Sequence, residues 1–191
     1  MAPYSFIHLT GMLIEKADIV AGIISGIIVT LFFFLLRISV KPRIKVSQFI
    51  VRRNRKNLET GEVNEVFQIK FYNASWSSIE DVTIDFYLMN DWYSSDKKSF
   101  AAIPIKLNLD SFKFLPGKLK RNKELNDNCV VVTLHGNLDE IWKDKHDWLE
   151  LHITAYHSLS GFRKVKKRTY KGLKCIEMGK FADGEVFKLD S

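Results

Sequence analysis

Residues 66–89 read VFQIKFYNASWSSIEDVTIDFYLM, and the spacing of the apolar side chains within them decides the architecture. Phe67, Ile69 and Phe71 alternate with Gln68, Lys70 and Tyr72. Beyond a small polar corner, Asn73–Ser78, the residues Val82, Ile84, Phe86 and Leu88 alternate with Thr83, Asp85 and Tyr87. Successive side chains of an extended chain point to opposite faces, so this alternation marks a half-buried strand; a helix would repeat its apolar residues every three or four positions. The stretch predicts two strands joined by a corner.

The same pattern continues on both sides. Leu149, Leu151, Ile153 and Ala155 alternate with Glu150, His152, Thr154 and Tyr156, and shorter apolar runs lie at Ile44–Val51, Ile103–Leu109, Val130–Leu134 and Glu185–Leu189. Arg163–Tyr170 reads as a further, strongly basic strand. Turn residues separate these runs at Glu59–Gly61, Asn90–Ser99, Ser158–Gly161 and Ala182–Gly184. Roughly seven to nine short strands, each with one apolar face, predict an all-β sandwich. Residues 66–89 resemble the paired strands of immunoglobulin-like sandwiches, in which an alternating strand leads through a polar corner into the next. The resemblance implies an immunoglobulin-like β-sandwich and no activity, and the antibody-type Cys…Trp…Cys pattern is absent. One short helix is expected, capped by Asn137 with Glu140 completing a capping box and Ile141 and Trp142 packing inward.

Ahead of the strands, Ile19–Leu36 reads IVAGIISGIIVTLFFFLL, 18 residues without a charge. As a helix it would be about 27 Å long, close to the hydrocarbon thickness of a bilayer. Only Ser25 and Thr30 are polar, so it lacks the polar stripe of a soluble helix. A single transmembrane helix is predicted over residues 19–40. The flank before it is net −1 (Glu15, Lys16, Asp18), whereas a cleaved signal peptide begins with a basic region; the segment reads as a signal-anchor. Residues 37–56 carry Arg37, Lys41, Arg43, Lys45, Arg52, Arg53, Arg55 and Lys56 and no acid, so the whole net charge of +7 is local to this cluster. Basic residues stay on the cytoplasmic side. Residues 1–18 are therefore expected to form a short extracytoplasmic tail, 41–56 a basic juxtamembrane segment and first strand, and 42–191 a cytoplasmic β-sandwich at the inner (cell) membrane. Cys129 and Cys175 are too few for a disulfide framework or a four-ligand zinc site. Inside the span, Gly22, Ser25 and Gly26 form a small-residue face of the G-x-x-x-G kind that lets two helices approach, so a homo-oligomer is expected. No ionisable group lies within Ile19–Leu36 to support a proton or ion pathway.

Catalytic spacings are missing. There is no G-x-S-x-G elbow, H-E-x-x-H, C-x-x-C, P-loop or dinucleotide fingerprint, which predicts a non-enzyme with no catalytic residues, cofactor or metal. The histidines (His8, His135, His146, His152 and His157) have no ligand spacing. Trp76, Trp92, Trp142 and Trp148 read as core and rim residues. Asp110–Asn128 reads as a long lysine-rich loop. The run Arg163, Lys164, Lys166, Lys167 and Arg168, followed by Lys171 and Lys174, contains no acid. As a strand it would expose Lys164, Lys166 and Arg168 on one face beside Phe162 and Tyr170. That face is either a solvated edge whose lysines discourage aggregation or a surface for an anionic ligand or lipid headgroup, with nucleic acid disfavoured. The expected function is a membrane-anchored binding or effector protein, with membrane lipids, a second copy or a membrane protein complex as partners. Bacterial defence effectors, antiviral ones included, and signalling adaptors are often built as a short membrane anchor plus a small β-domain. This architecture resembles theirs by analogy and not by a motif. The alternative is a scaffolding subunit that tethers a larger complex to the inner membrane.

Overall fold

The computed structural model describes residues 4–39, 41–56, 63–94, 97–119, 122, 126–143 and 146–190. The chain divides into two compact units, Met1–Val40 and Lys41–Ser191. The first is one helix, α1 (Tyr4–Ser39). From Asp18 to Arg37 it has a mean hydropathy of 2.8 and buries none of its residues, so it is long and apolar enough to cross a membrane. The span read from Ile19 onward is confirmed as helix to Ser39, with Val40 outside the described residues. The tail expected before it is instead helical from Tyr4 and continuous with the span. The two hydroxyls of the span return to its backbone, Ser25 Oγ donating to the Gly22 carbonyl (3.2 Å) and Thr30 Oγ1 to that of Gly26 (2.7 Å). Neither is left unsatisfied against an apolar surround. Pro42 lies just past the helix end, where its missing N–H does no harm.

In the second unit, β3 (Val63–Asn73) is the spine of one five-stranded sheet. It pairs antiparallel with β7 (Cys129–Leu134) along one edge, and with β1 (Ile44–Val46) and β2 (Ile50–Lys56) in succession along the other. Pairing passes from Val46 opposite Phe71 to Val51 opposite Gln68, so Ser47–Phe49 bulges from the ladder. Beyond β2, β10 (Ile176–Met178) adds a parallel strand. The spine of the other five-stranded sheet is β4 (Ile79–Ser94). One edge of β4 carries β6 (Ser111–Leu115) and β5 (Lys97–Pro104) end to end, and the other carries β8 (Trp148–His157). Beyond β8 lies β9 (Arg163–Lys171), an edge strand among the described residues. A small ladder joins β11 (Lys180–Phe181) to β12 (Leu189–Asp190).

The domain is β-rich, as its alternation predicts, but twelve strands are described where seven to nine were expected. The excess consists mostly of short pairings that periodicity cannot reveal. Three sequence readings are corrected. Ser111–Leu115, inside the stretch taken for a long loop, is β6; residues 120, 121 and 123–125 of that stretch lie outside the described residues. The turn expected over Asn90–Ser99 is largely strand, with β4 running to Ser94 and β5 starting at Lys97, while 95 and 96 lie outside the described residues. The run Glu185–Leu189 contributes only Leu189 to a strand. The turn at 59–61 also lies outside the described residues.

One core joins the two sheets. Phe67, Ile69 and Phe71 of β3 share it with Ile84 and Phe86 of β4 and Leu149, Leu151 and Ile153 of β8, all 0–2% exposed. A helical turn, α2 (Leu138–Ile141), adds Leu138 and Trp142. Asn137 caps it as expected, accepting from the Asp139 N–H (3.1 Å), while Glu140 bonds the Asn137 side-chain amide (3.2 Å).

The opposite face of β3 is not solvated. Lys70 and Tyr72 are buried under the C-terminal segment, with Phe187 beside Tyr72 (5.3 Å) and the Lys70 ammonium donating to the Ala182 carbonyl (2.5 Å). Burial lowers the pKa of Lys70.

The chain crosses from one sheet to the other at the corner Asn73–Ser78. Fully buried Asn73 holds it: Nδ2 lies 3.0–3.3 Å from the carbonyls of Ser77, Leu115 and Pro116, and Oδ1 accepts from the Ser75 N–H (2.9 Å). Asn73→Ala would orphan these buried groups, so a loss of about 1–3 kcal/mol is expected. Thr83→Ala, at an exposed strand position, should change stability little. Thermal unfolding of the two variants in detergent checks the contrast.

Candidate functional site

The register of β9 on β8 decides where the basic run points. Lys164 lies opposite Ala155, Lys166 opposite Ile153, Arg168 opposite Leu151 and Tyr170 opposite Leu149. All four β8 partners are fully buried. Directly opposed residues of an antiparallel pair project to the same face. Lys164, Lys166 and Arg168 therefore belong to the interior side of their sheet, and Arg163, Val165 and Lys167 to its outer side. This corrects the expectation of one freely solvated face. The charges point into the open edge of the sandwich, where the β1–β2 bulge of the other sheet approaches them.

Tyr170 sits deepest, 1% exposed, and its hydroxyl donates to the Ser47 carbonyl (3.1 Å) across the sheets. Burial pushes its pKa well above the ordinary range, so it remains a donor. The Arg168 guanidinium lies over the Tyr170 ring (5.9 Å), with Nη2 3.5 Å from the Gln48 carbonyl. Its Nε is buried and makes no hydrogen bond among the described residues. From β1, Lys45 lies over the Tyr72 ring (5.8 Å). Lys45, Tyr72 and Arg168 line a cleft of about 360 Å³ with Lys166, Lys167, Gln48 and, from the C-terminal segment, Phe187. Among the described residues its lining includes four basic residues and no acidic one.

Lys167 is committed elsewhere. Its ammonium lies 2.6 Å from Glu150 on the outer face. Glu150 is 5% exposed and accepts also from Trp148 Nε1 (2.9 Å) and His152 Nε2 (3.1 Å). Burial alone would raise the Glu150 pKa; the three donors outweigh it and hold the carboxyl below its ordinary value. That leaves Lys45, Lys166 and Arg168 as the cations of the cleft. A volume of this size suits a small ligand, and a guanidinium fork with two ammonium groups suits phosphate or carboxylate oxygens. Tyr72 and Phe187 supply flanking aromatic surface.

Of the other residues read from sequence, Arg163 and Lys164 are exposed on β9 outside the cleft. Lys41 and Arg43 are exposed before β1, and Arg37 is exposed at the end of α1. Arg52, counted in the basic cluster, is paired with Glu65 (2.5 Å) and Asp139 (2.8 Å). A Cβ added at Gly22 or Gly26 would meet nothing within 4 Å, so the small-residue face of α1 is open in the single chain. Tyr72, Gln48 and Phe187 went unread in the sequence because they come from three separate stretches. The one local signal was Tyr72, an aromatic on the polar side of its strand.

A second polar constellation invites a catalytic reading. Ser77 Oγ and His157 Nε2 are hydrogen-bonded, with His157 2% exposed. The Ser160 N–H donates to His157 Nδ1 (3.3 Å), which must then carry the ring's lone pair. The neutral ring holds its proton on Nε2 and donates it to Ser77. No lone pair faces the serine hydroxyl, so the pair ties two loops together rather than activating a nucleophile. His135 follows β7 at the opposite end of the sandwich, and no cluster of three or more His, Cys, Asp or Glu able to hold a metal occurs among the described residues. Neither Cys129 nor Cys175 forms a disulfide among the described residues.

Comparison with known proteins assigns no family: no family model matches the chain, and no curated protein matches it.

Burial lowers the His157 pKa from its ordinary 6.5. The unfolded chain therefore takes up this proton first, so the stability due to neutral His157 is full above about pH 6.5 and is lost as pH falls through the window below it. The unfolding midpoint of the wild type should drop between about pH 7 and pH 5 by more than that of His157→Gln, as thermal scans across that range would read.

Proposed function

We propose that the protein is a single-pass, membrane-anchored binding module. In this reading α1 spans the inner membrane and the β-domain lies on the cytoplasmic side, where the cleft between β1 and β9 receives a small anionic ligand bearing phosphate. The observation that carries the reading is the convergence of Lys45, Lys166 and Arg168 from two sheets on one cleft, with the Arg168 Nε–H buried and without an acceptor among the described residues. A buried donor without an acceptor costs about 1–3 kcal/mol, which an anionic oxygen in the cleft would recover. The domain offers these cations fixed positions: Arg168 is braced on Tyr170 and the Gln48 carbonyl, and Lys45 on Tyr72. Binding rather than catalysis fits a lining made of cations, aromatics and aliphatics.

The immunoglobulin-like form of the sandwich belongs to the same proposal. It is supported by the passage from β3 through the Asn73–Ser78 corner into the opposite sheet. The parallel pairing of β10 with β2 is a departure from a wholly antiparallel plan. Orientation rests on the eight basic residues of 37–56, which would otherwise have to cross the bilayer. A reporter active only in the cytoplasm, fused after Ser191, is expected to be active; a silent reporter on an intact, expressed fusion would reverse the topology.

Calorimetric titration of the detergent-solubilised full chain with pyrophosphate and with a nucleoside triphosphate tests the cleft. Binding should weaken with added salt. Lys45→Gln, Lys166→Gln and Arg168→Gln should each reduce affinity about ten-fold, since a hydrogen bond to a charged group contributes about 1.5–3 kcal/mol. Glutamine is chosen because half-buried Arg168 would not tolerate charge reversal. Lys171→Gln, exposed and outside the cleft, should bind as the wild type does. Absence of salt-sensitive binding would favour the scaffolding role.

A further inference from the structure

The end of the sandwich at which the chain enters the β-domain is built from three loops stitched to one another. The Arg43 N–H donates to Ser75 Oγ (2.7 Å) and the Ala74 N–H to the Arg43 carbonyl (2.6 Å). Lys118 and Leu119 donate their N–H groups to the carbonyls of Ser75 (2.9 Å) and Trp76 (3.1 Å). Ser158 bonds the Ser78 carbonyl through its N–H (3.2 Å) and its hydroxyl (3.0 Å), alongside the Ser77–His157 pair. These bonds fix the loops, and the loop tips are apolar. Leu159 is 78% exposed, Leu119 73% and Trp76 67%, the three most exposed large hydrophobic side chains among the described residues. Single exposed hydrophobics need no explanation, but three on adjoining loops at one end do.

Basic side chains flank the tips. Lys41, Arg43 and Lys118 are all exposed at this end, with Glu185 4.0 Å from Lys118 and the exposed Glu80 and Asp81, at the start of β4, as opposing charges. Chain connectivity adds a constraint. Arg43 follows Arg37 by six residues, which span at most about 20 Å when fully extended. If α1 crosses a bilayer, the loops hydrogen-bonded to Arg43 are tethered close to its surface. Tryptophan and leucine beside lysine and arginine are the side chains that partition into the headgroup region of an anionic leaflet.

We propose that this end of the β-domain docks into the bilayer interface, with Trp76, Leu119 and Leu159 entering the headgroup region and Lys41, Arg43 and Lys118 meeting anionic lipid. The proposal rests on the transmembrane reading of α1 and adds a second membrane contact, made by the β-domain.

The test uses the full chain reconstituted in phosphatidylcholine vesicles containing phosphatidylserine, with acyl chains brominated near the headgroup. Bromine quenches only fluorophores at its own depth. Wild-type tryptophan emission should be quenched, and most of that quenching should vanish in Trp76→Phe. Leu159→Asp, which leaves the tryptophan in place, should reduce the quenching at least two-fold, as should omission of phosphatidylserine. Equal quenching in wild type and Trp76→Phe, or none in either, overturns the docking. Alkaline carbonate extraction of the same vesicles separates the two readings. Protein that stays in the vesicles with Trp76 unquenched sinks the docking alone, whereas protein released by carbonate sinks the anchor and the docking with it.

Discussion

The register of β8 against its neighbours is the constraint on which the rest of the β-domain depends. Leu149, Leu151, Ile153 and Ala155 must all face the core, and with them β4 contributes Ile84, Phe86 and Leu88. A slip of one residue would turn every one of these side chains to the other face. The same register fixes β9, whose alternate residues then have no choice of side. Tyr170 enters the core, Arg168 and Lys166 line its open rim, and Lys167 passes to the outer face, where Glu150 waits. The hydrophobic demand of one strand thus places the charges of the next.

That rim shows how a small sandwich handles charge near its interior. Three buried or half-buried ionic groups are treated differently. Glu150 is offset by three donors, enough to overcome its desolvation. Lys70 has one carbonyl and an aromatic ring, and its pKa is lowered. Arg168 is stacked and tethered through one nitrogen while another has no partner among the described residues. The first arrangement is closed, whereas the last has capacity for an incoming acceptor. Satisfaction of buried polar groups is the rule in folded proteins, which makes the exception at Arg168 informative.

Much of the architecture was legible. The apolar span was read from eighteen uncharged residues, and β3, β4 and β8 from strict alternation. The α2 cap was read from Asn137, while Glu140 meets the Asn137 side-chain amide rather than closing the expected capping box. These signals are local, since each depends on residues within one turn or a few strand positions of each other. Strand β6 went unread because Ser111–Leu115 is only five residues long and is closed at once by Pro116-Gly117, too short a run for its alternation to stand out from the lysine-rich stretch around it. Its strand state comes from pairing with β4. Lys70 and Tyr72 were read as facing away from the core, as they do, but the segment that covers them lies more than a hundred residues along the chain. The candidate cleft was half legible: its basic strand was evident, its direction was not.

By itself, the sequence determined which segments are apolar on one face, where the chain must turn, and where the surplus positive charge lies, because side-chain period and composition act through neighbours in the chain. Only the tertiary structure decided which way β9 faces, that β1 and Phe187 complete a cleft around Lys166 and Arg168, and that Trp76, Leu119 and Leu159 share one end. Those outcomes depend on strand register and on contacts between distant segments, and both follow from burying the whole core at once rather than from any single stretch.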